Sequence, residues 1–157
     1  MDAEAQKNLI RRRLLGRGLA LTRVGDLGRD LTMRADGRDL ALVEGVDNLA
    51  QVLSAAVLTP LGGDVFNTDF GFDGLNALAD ETTPTLQRER VRVSIVALLR
   101  KDRRVGRIVD VKLVDQRLEA PTTGAARQLD VRVVFEAVTG DQLTLSAGNA
   151  GTRLQNG

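Results

Sequence analysis

Residues 46–57 carry the pattern that most restricts what this chain can fold into. Their apolar side chains recur at spacings of three and four residues, which places them on one face of an α-helix. That face consists of Val46, Leu49, Ala50, Leu53, Ala56 and Val57. Asn48 and Gln51 fall outside it and are predicted to form the polar side. Pro60 stops the pattern and Gly62-Gly63 opens a turn, so the helix has a clear end.

Three other segments are predicted to be helical. Residues 3–15 form a short helix, and residues 73–80 form another with Leu75 and Leu78 facing inward. Thr83 followed by Pro84 is a strong start signal, because a hydroxyl caps free amides and Pro suits the first helical position. The helix from there to about Lys101 has an apolar stripe wide enough for more than one neighbour. Its members are Leu86, Val91, Val93, Ile95, Val96, Ala97, Leu98 and Leu99.

The rest of the chain is predicted to be β-structure. Residues 40–43 form an early short strand. Residues 107–115, 129–138 and 142–147 form three strands, and the second shows the cleanest alternation in the chain, broken only by Val134 on its polar side. Thr139-Gly140-Asp141 is typical of a tight hairpin turn. The expected fold class is α+β: an early short strand, two to three helices, then an antiparallel three-stranded meander.

Charge divides the chain unevenly. Residues 1–38 hold nine basic and five acidic side chains, a balance of +4, whereas the whole chain is +1 and the remainder therefore −3. This asymmetry indicates a basic segment with an anionic neighbour, although a solvated helix face and loop would give the same pattern. We predict three parts: a basic N-terminal helix and arm (1–36), an α+β domain (37–148) and a flexible tail (149–157).

Composition excludes several classes of function. The chain has no Cys and no His, so disulfides, thiolate metal sites and His-based catalytic triads are ruled out. Only 3% of residues are aromatic, which weakens a role in stacking on nucleic-acid bases despite Arg11-Arg12-Arg13. These arginines interrupt any apolar signal sequence, and no apolar run approaches the ~20 residues of a membrane span. We expect a cytoplasmic protein without membrane or nucleic-acid partners.

Carboxylates are the remaining candidates for acid–base chemistry. Glu44 and Asp47 flank the start of the first strong helix, where free amides favour a carboxylate. Asp64, Asp69 and Asp73 cluster near the turn, and Asp69 precedes an aromatic-Gly turn, where Asp commonly bonds its own backbone. A glycosidase needs two carboxyls roughly 5–9 Å apart in a cleft, and a calcium loop needs a spacing that is absent here. We therefore expect no catalysis, no cofactor and no metal.

Three elements, taken in order, resemble one protein family. They are Gly37–Val43 (GRDLALV), Leu58–Gly62 (LTPLG) and Asp69-Phe70-Gly71. Their order and spacing are similar to the baseplate-wedge and sheath-initiator family of contractile phage tails and injection systems, sometimes labelled lysozyme-like. The likeness covers residues 36–118. This chain departs from the family at the turn, where Gly63-Asp64 replaces Glu-Arg and Thr68 replaces Pro.

The resemblance implies an assembly role. Proteins of this family lie in the inner baseplate around the central hub, join wedge proteins and start polymerisation of the sheath. Their fold is similar to the interlocking (handshake) domain of the sheath subunit. The implied partners are sheath, wedge and hub, spike or tube proteins. Six copies or a multiple are expected per particle, made in the cytoplasm and then located in the baseplate. An adaptor or binding domain outside such particles is the alternative.

Two surfaces are expected to bind partners. A sheath subunit can add a strand to an exposed sheet edge through main-chain hydrogen bonds, and such an edge needs protection before assembly. We expect sheath contact on the C-terminal strands, at Val131, Val133, Phe135, Leu143 and Leu145. We expect wedge or neighbour contact on the basic arm, at Arg11, Arg12, Arg13 and Arg17. Gly62, Asp69, Phe70 and Gly71 form the motif turn.

Overall fold

The computed structural model describes residues 2–25, 28–74, 76, 80, 83–115, 129–147 and 153–156. The helices with defined bounds are α1 (Ala3–Leu15), α2 (Gly45–Leu58) and α3 (Pro84–Lys101). The strands are β1 (Arg17–Leu19), β2 (Leu21–Val24), β3 (Gly28–Leu31), β4 (Leu42–Glu44), β5 (Val105–Asp115), β6 (Leu129–Ala137), β7 (Gln142–Ala147) and β8 (Arg153–Asn156). The predicted α+β class is confirmed, with antiparallel sheets throughout.

The main sheet is antiparallel, with the strand order β5-β6-β7-β8. The predicted alternation of β6 is confirmed, because Val131, Val133, Phe135 and Ala137 are buried while Arg132 between the first two is exposed. The predicted hairpin turn is also present, closed by a 2.8 Å bond from the Ala137 amide to the Asp141 carbonyl. Gly140 has φ +82°, a left-handed conformation that Gly adopts without a Cβ clash.

Strand β8 lies in the segment that was predicted to be a flexible tail. Four of its residues pair with β7, from Leu143 opposite Asn156 to Ser146 opposite Arg153. The tail prediction is wrong for this stretch, because a short polar segment gains its order from the ladder of a neighbouring strand. Such a segment has no apolar alternation of its own to signal a strand.

The helices cover one face of the main sheet. Helix α2 is central, since it contacts α1 and α3 as well as β7 and β8. Its predicted inner face is confirmed: Leu49, Leu53, Ala56 and Val57 are all buried. Half of the predicted helix 73–80 lies outside the described residues, including Leu75 and Leu78, whereas Gly74, Asn76 and Asp80 are helical.

Helix α3 buries a narrower face than its sequence predicted. Its buried residues are Gln87, Val91, Ile95, Leu98 and Leu99. Leu86 and Val93 are instead more than half exposed. Among the described elements, α3 packs mainly on α2 and β5. The predicted contact with more than one neighbour is therefore confirmed, although the apolar stripe that makes it is narrower than predicted.

Residues 17–44 form a junction of three short antiparallel pairings. At its centre, three amides bond three carbonyls in a closed ring: Ala20 to Ala41 (2.8 Å), Ala41 to Thr32 (2.7 Å) and Thr32 to Ala20 (2.9 Å). The pairs β1–β4 and β2–β3 and the bridge between Met33 and Leu40 extend from this ring. The segment predicted as an arm is ordered, and its pairing crosses the predicted domain boundary at residue 36.

The motif turn closes on itself. The Phe72 amide donates to the Thr59 carbonyl (2.8 Å), and the Leu61 amide donates to the Phe72 carbonyl (3.2 Å). Gly71 has φ +115°, and a Cβ there would lie 2.6 Å from the Pro60 carbonyl oxygen. Only Gly fits this close crossing. Two of the three family-like elements, Leu58–Gly62 and Asp69–Gly71, therefore meet at the end of α2, and we call this contact the clasp.

Candidate assembly interface

The five side chains expected to contact the sheath lie together, but they face inward. Val133, Phe135 and Leu143 are 0% exposed, Leu145 is 1% and Val131 is 8%. They form the inner face of β6 and β7 beneath the helices. A partner cannot reach them while the domain is folded, so this prediction is corrected. An alternating strand identifies an apolar face, and the helices of the same chain cover it here.

Strand addition therefore requires an edge of the sheet. In the described sheet, β6 and β7 are interior, whereas β5 and β8 each have one neighbour. Strand β8 has four residues and β5 has 11. Among the three strands predicted as docking sites, β5 alone lies at an edge of the described sheet. Its length suits an incoming strand better than that of β8.

Strand β5 carries features that protect an open edge. Its pairing with β6 shifts register between Val105 and Arg107 and again between Ile108 and Asp110. Bulges of this kind twist an edge away from flat contact, and charged side chains along an edge discourage aggregation. Lys112 supplies such a charge, 71% exposed and 3.5 Å from the Asp110 carboxylate. These are the devices expected of a strand that is accessible to solvent.

The outward side of β5 can be assigned from one contact. The Arg88 guanidinium of α3 donates to the Leu113 carbonyl, at 3.5 Å. In an antiparallel strand the amide and carbonyl of one residue point to the same side, and the side alternates along the chain. The amides of Leu113 and Val111 therefore point away from β6, whereas that of Lys112 points toward it.

The first arginine of the basic arm is bound within the chain. Arg11 Nε lies 3.0 Å from Asp141 Oδ2, and Nη2 bonds the other carboxylate oxygen. The Thr139 hydroxyl donates to Asp141 as well, at 2.7 Å. The bond from Arg11 is the largest cause of a lowered Asp141 pKa; burial opposes it, and Thr139 assists. The same bond to Asp141 raises the pKa of Arg11. This pair fastens α1 to the β6–β7 hairpin.

The other arginines of the arm differ among themselves. Arg12 Nε lies 3.1 Å from Glu44 Oε2, with both side chains about a third to a half exposed. Arg13 and Arg17 are exposed, and within the described part of the chain they form no ion pair. The prediction of four partner-binding arginines is therefore corrected. Arg11 has a structural role and Arg12 forms a partly exposed ion pair with Glu44, whereas Arg13 and Arg17 remain available to an acidic partner.

Two polar residues of α2 have a role that the sequence did not suggest. Asn48 is 4% exposed, and its Nδ2 donates to the Leu15 carbonyl at the end of α1 (2.9 Å). Gln51 Oε1 accepts from the Leu21 amide (2.8 Å), and its Nε2 donates to the Leu19 carbonyl (2.7 Å). The side-chain amide of Gln51 thus bonds the main chain of residues 19 and 21 in the way that a neighbouring strand would. The polar side of α2 is therefore engaged within the chain, where it anchors the end of α1 and the three-way junction.

Arg104 completes the anchoring of α1. Its Nη1 donates to the same Leu15 carbonyl, at 3.2 Å, where a cation suits the negative end of a helix. Its Nη2 lies 2.6 Å from Asp102 Oδ2. Burial raises the pKa of Asp102, but the side-chain and backbone bonds from Arg104 outweigh it and leave that pKa lowered. The α1–β1 connection is therefore held by α2 and by the α3–β5 loop.

The loop before the Asp-Phe-Gly turn holds an aromatic side chain in solvent. Phe66 is 98% exposed and Val65 is 79% exposed. Asp64 Oδ1 accepts from the Phe66 amide (2.9 Å), which is the side-chain-to-backbone bond that was predicted for Asp69. The Asp69 carbonyl accepts instead from Lys101 Nζ (3.3 Å). The loop is therefore built by its own hydrogen bonds, with Phe66 at its tip.

Comparison with known proteins adds no relative. No family model and no curated protein matches this chain. Within the residues that the structure describes, no three carboxylates converge as a metal ion would need. In the same residues, no helix has both the length and the apolar character to span a bilayer.

Proposed function

We propose that this chain is a structural baseplate component of a contractile tail or injection system, without catalytic activity. It links inner wedge and hub proteins to the sheath and starts sheath polymerisation by accepting a strand. The 11-residue strand β5, which has one neighbouring strand in the described sheet, carries this proposal. The order of the three family-like elements, two of which meet in the clasp at Gly71, supports it. The proposed likeness to the sheath handshake domain rests on the same elements.

The proposed mechanism uses main-chain bonds at β5. An added strand would pair with outward amides such as those of Val111 and Leu113. Each such bond contributes about 0.5–1.5 kcal/mol net, so several in register give useful affinity. Arg88 leaves the Leu113 carbonyl when the strand docks, and its long side chain can do so at small cost because the bond is weak at 3.5 Å. Arg13 and Arg17 then bind acidic groups of a wedge protein.

Assembly of particles from purified parts tests this proposal. Cognate wedge and sheath proteins are mixed with the intact chain, with Val111→Pro, or with a chain ending at Ala147. Proline at 111 removes an outward amide and leaves the ladder amide of Lys112 in place. Electron microscopy then scores baseplates and sheath length, and circular dichroism checks that each variant is folded.

Two results decide the matter. We expect the intact chain and the chain ending at Ala147 to enter baseplates and grow sheath, because β8 is the opposite edge. We expect Val111→Pro to enter baseplates without sheath growth. Equal growth from a folded Val111→Pro would refute strand addition at β5. Failure of the intact chain to associate with any of these proteins would refute the baseplate role and favour an adaptor domain.

A further inference from the structure

A cleft of about 500 Å³ opens between α2, α3 and the motif turn. Its floor is apolar and continuous with the core, and it consists of Val52, Leu53, Ala56, Phe70 and Leu98. Clefts of this size and character suit one or two apolar side chains of a partner. Leu53, Ala56 and Leu98 are buried, so the partly exposed side chains of Val52 and Phe70 supply the apolar surface that a partner can touch.

The rim of the cleft is charged and slightly cationic. Lys101, Arg103 and Arg104 oppose Asp69 and Asp102, which leaves a balance of +1. Asp102 and Arg104 neutralise each other at 2.6 Å, and among the described residues Lys101 bonds the Asp69 carbonyl and no carboxylate. Arg103 is exposed, and no ion pair engages it among the described residues. An acidic occupant with an apolar anchor therefore fits best.

The loop of residues 61–69 has the matching properties. It carries Asp64 and no cation, and Val65 and Phe66 are exposed at its tip, whereas Asp69 at its end belongs to the rim of the cleft. Besides the Asp64 side-chain bond, the Asn67 amide donates to the Asp64 carbonyl at 3.1 Å. A loop whose backbone is fixed by its own hydrogen bonds loses little backbone entropy on docking, and an exposed aromatic side chain at its tip suits an interface anchor.

We propose that the 61–69 loop of one copy docks into this cleft on a second copy, forming a two-fold dimer. The loop cannot fill its own cleft, because its turn bonds hold Phe66 98% exposed. Phe70 lines the cleft only four residues later, so at most about 14 Å of chain separates anchor and cleft. A two-fold axis beside them places each Phe66 over the other copy's cleft, so both contacts form together. This contact needs no baseplate protein and is independent of the function proposed above.

Sedimentation equilibrium of the purified chain is the first test. We expect a reversible dimer whose dissociation constant rises at least about tenfold in Phe66→Ala, and also rises in Arg103→Glu and with added salt. Val93→Ala is the matched control, since it removes another exposed apolar side chain, on α3, and should leave dimerisation unchanged. A chain that stays monomeric up to about 1 mM, or a Phe66→Ala variant that dimerises normally, would overturn the proposal.

Cross-linking gives a second, independent test because the chain has no Cys. Asn67→Cys and Arg103→Cys proteins are mixed and oxidised, and the disulfide-linked heterodimer is quantified by mass spectrometry. We expect this pair to link far faster than Asn67→Cys mixed with Val109→Cys, whose cysteine lies on β5. Equal rates for the two pairs would contradict loop-in-cleft docking.

Discussion

Loss of the bond between Arg11 and Asp141 should weaken the fold measurably. The two residues are 130 positions apart in sequence, and their side chains are 23% and 13% exposed. Replacing Asp141 by Asn removes the charge while keeping the shape. Arg11 stays charged in the variant, because a guanidinium does not lose its proton in a protein. The variant therefore leaves a partly buried cation with only the more distant and exposed carboxylate of Glu4, at 3.5 Å, among the described residues.

The size of the loss follows from the degree of burial. Exposed ion pairs contribute about 0.2–1 kcal/mol, and removing one partner of a fully buried pair costs about 3–5 kcal/mol. This pair lies between these cases, so we expect Asp141→Asn to lower the free energy of unfolding by about 2 kcal/mol. For a chain of this length, that loss lowers the Tm by roughly 4–8 °C.

Urea unfolding at two pH values is the assay. The pKa of Asp141 is lowered in the folded state, so its contribution is present above the unfolded pKa of about 3.9. That contribution is lost as the pH falls through the folded pKa. We therefore expect the variant and the parent to differ at pH 7 and to converge in strongly acidic solution.

Glu136→Gln serves as the matched control. Glu136 pairs with Arg107 at 2.8 Å, but the side chains are 38% and 71% exposed. That pair should contribute less than about 1 kcal/mol. The reasoning is refuted if Asp141→Asn costs no more than Glu136→Gln at pH 7. It is equally refuted if the difference from the parent persists unchanged at acidic pH.

Two further predictions concern the clasp and the three-way junction. Gly71→Ala should lower the free energy of unfolding in urea by more than about 2 kcal/mol, because the new Cβ would lie 2.6 Å from the Pro60 carbonyl oxygen. The control Gly62→Ala, where φ is +79° but the space is open, should lower it by about 1–2 kcal/mol, and equal losses would contradict the clasp. Gln51→Ala removes the bonds to the Leu19 carbonyl of β1 and the Leu21 amide of β2. It should speed amide hydrogen exchange across residues 17–33 while the main sheet stays protected, and unchanged exchange would show that the ring of backbone bonds alone holds the junction.

The elements with strong periodicity were predictable from sequence. The inner face of α2, the Thr83 cap of α3 and the alternation of β6 follow from local spacing and chemistry. In each case one face meets a large apolar surface, so burial selects the pattern directly. The hairpin at Gly140 was equally clear, because its turn demands a residue that tolerates positive φ.

The candidate site was less predictable because it depends on which surfaces of the chain cover one another. The alternation of β6 and β7 identifies an apolar face, but it does not tell whether helices of the same chain or a partner protein cover that face. Gln51 and Arg11 bond residues 30 and 130 positions away, and no local pattern reveals such a partner. Strand β8 is ordered by its pairing with β7 and has no apolar alternation of its own.

Hydrogen exchange at the edges of the main sheet tests the central claim most directly. The intact chain is measured alone and after addition of its cognate sheath protein, and amide protection is compared between β5 and β8. The account predicts new protection within residues 105–115, including the outward amides of Val111 and Leu113, with β8 unchanged. Unchanged exchange of β5 in a sheath complex, or new protection confined to residues 153–156, would contradict it.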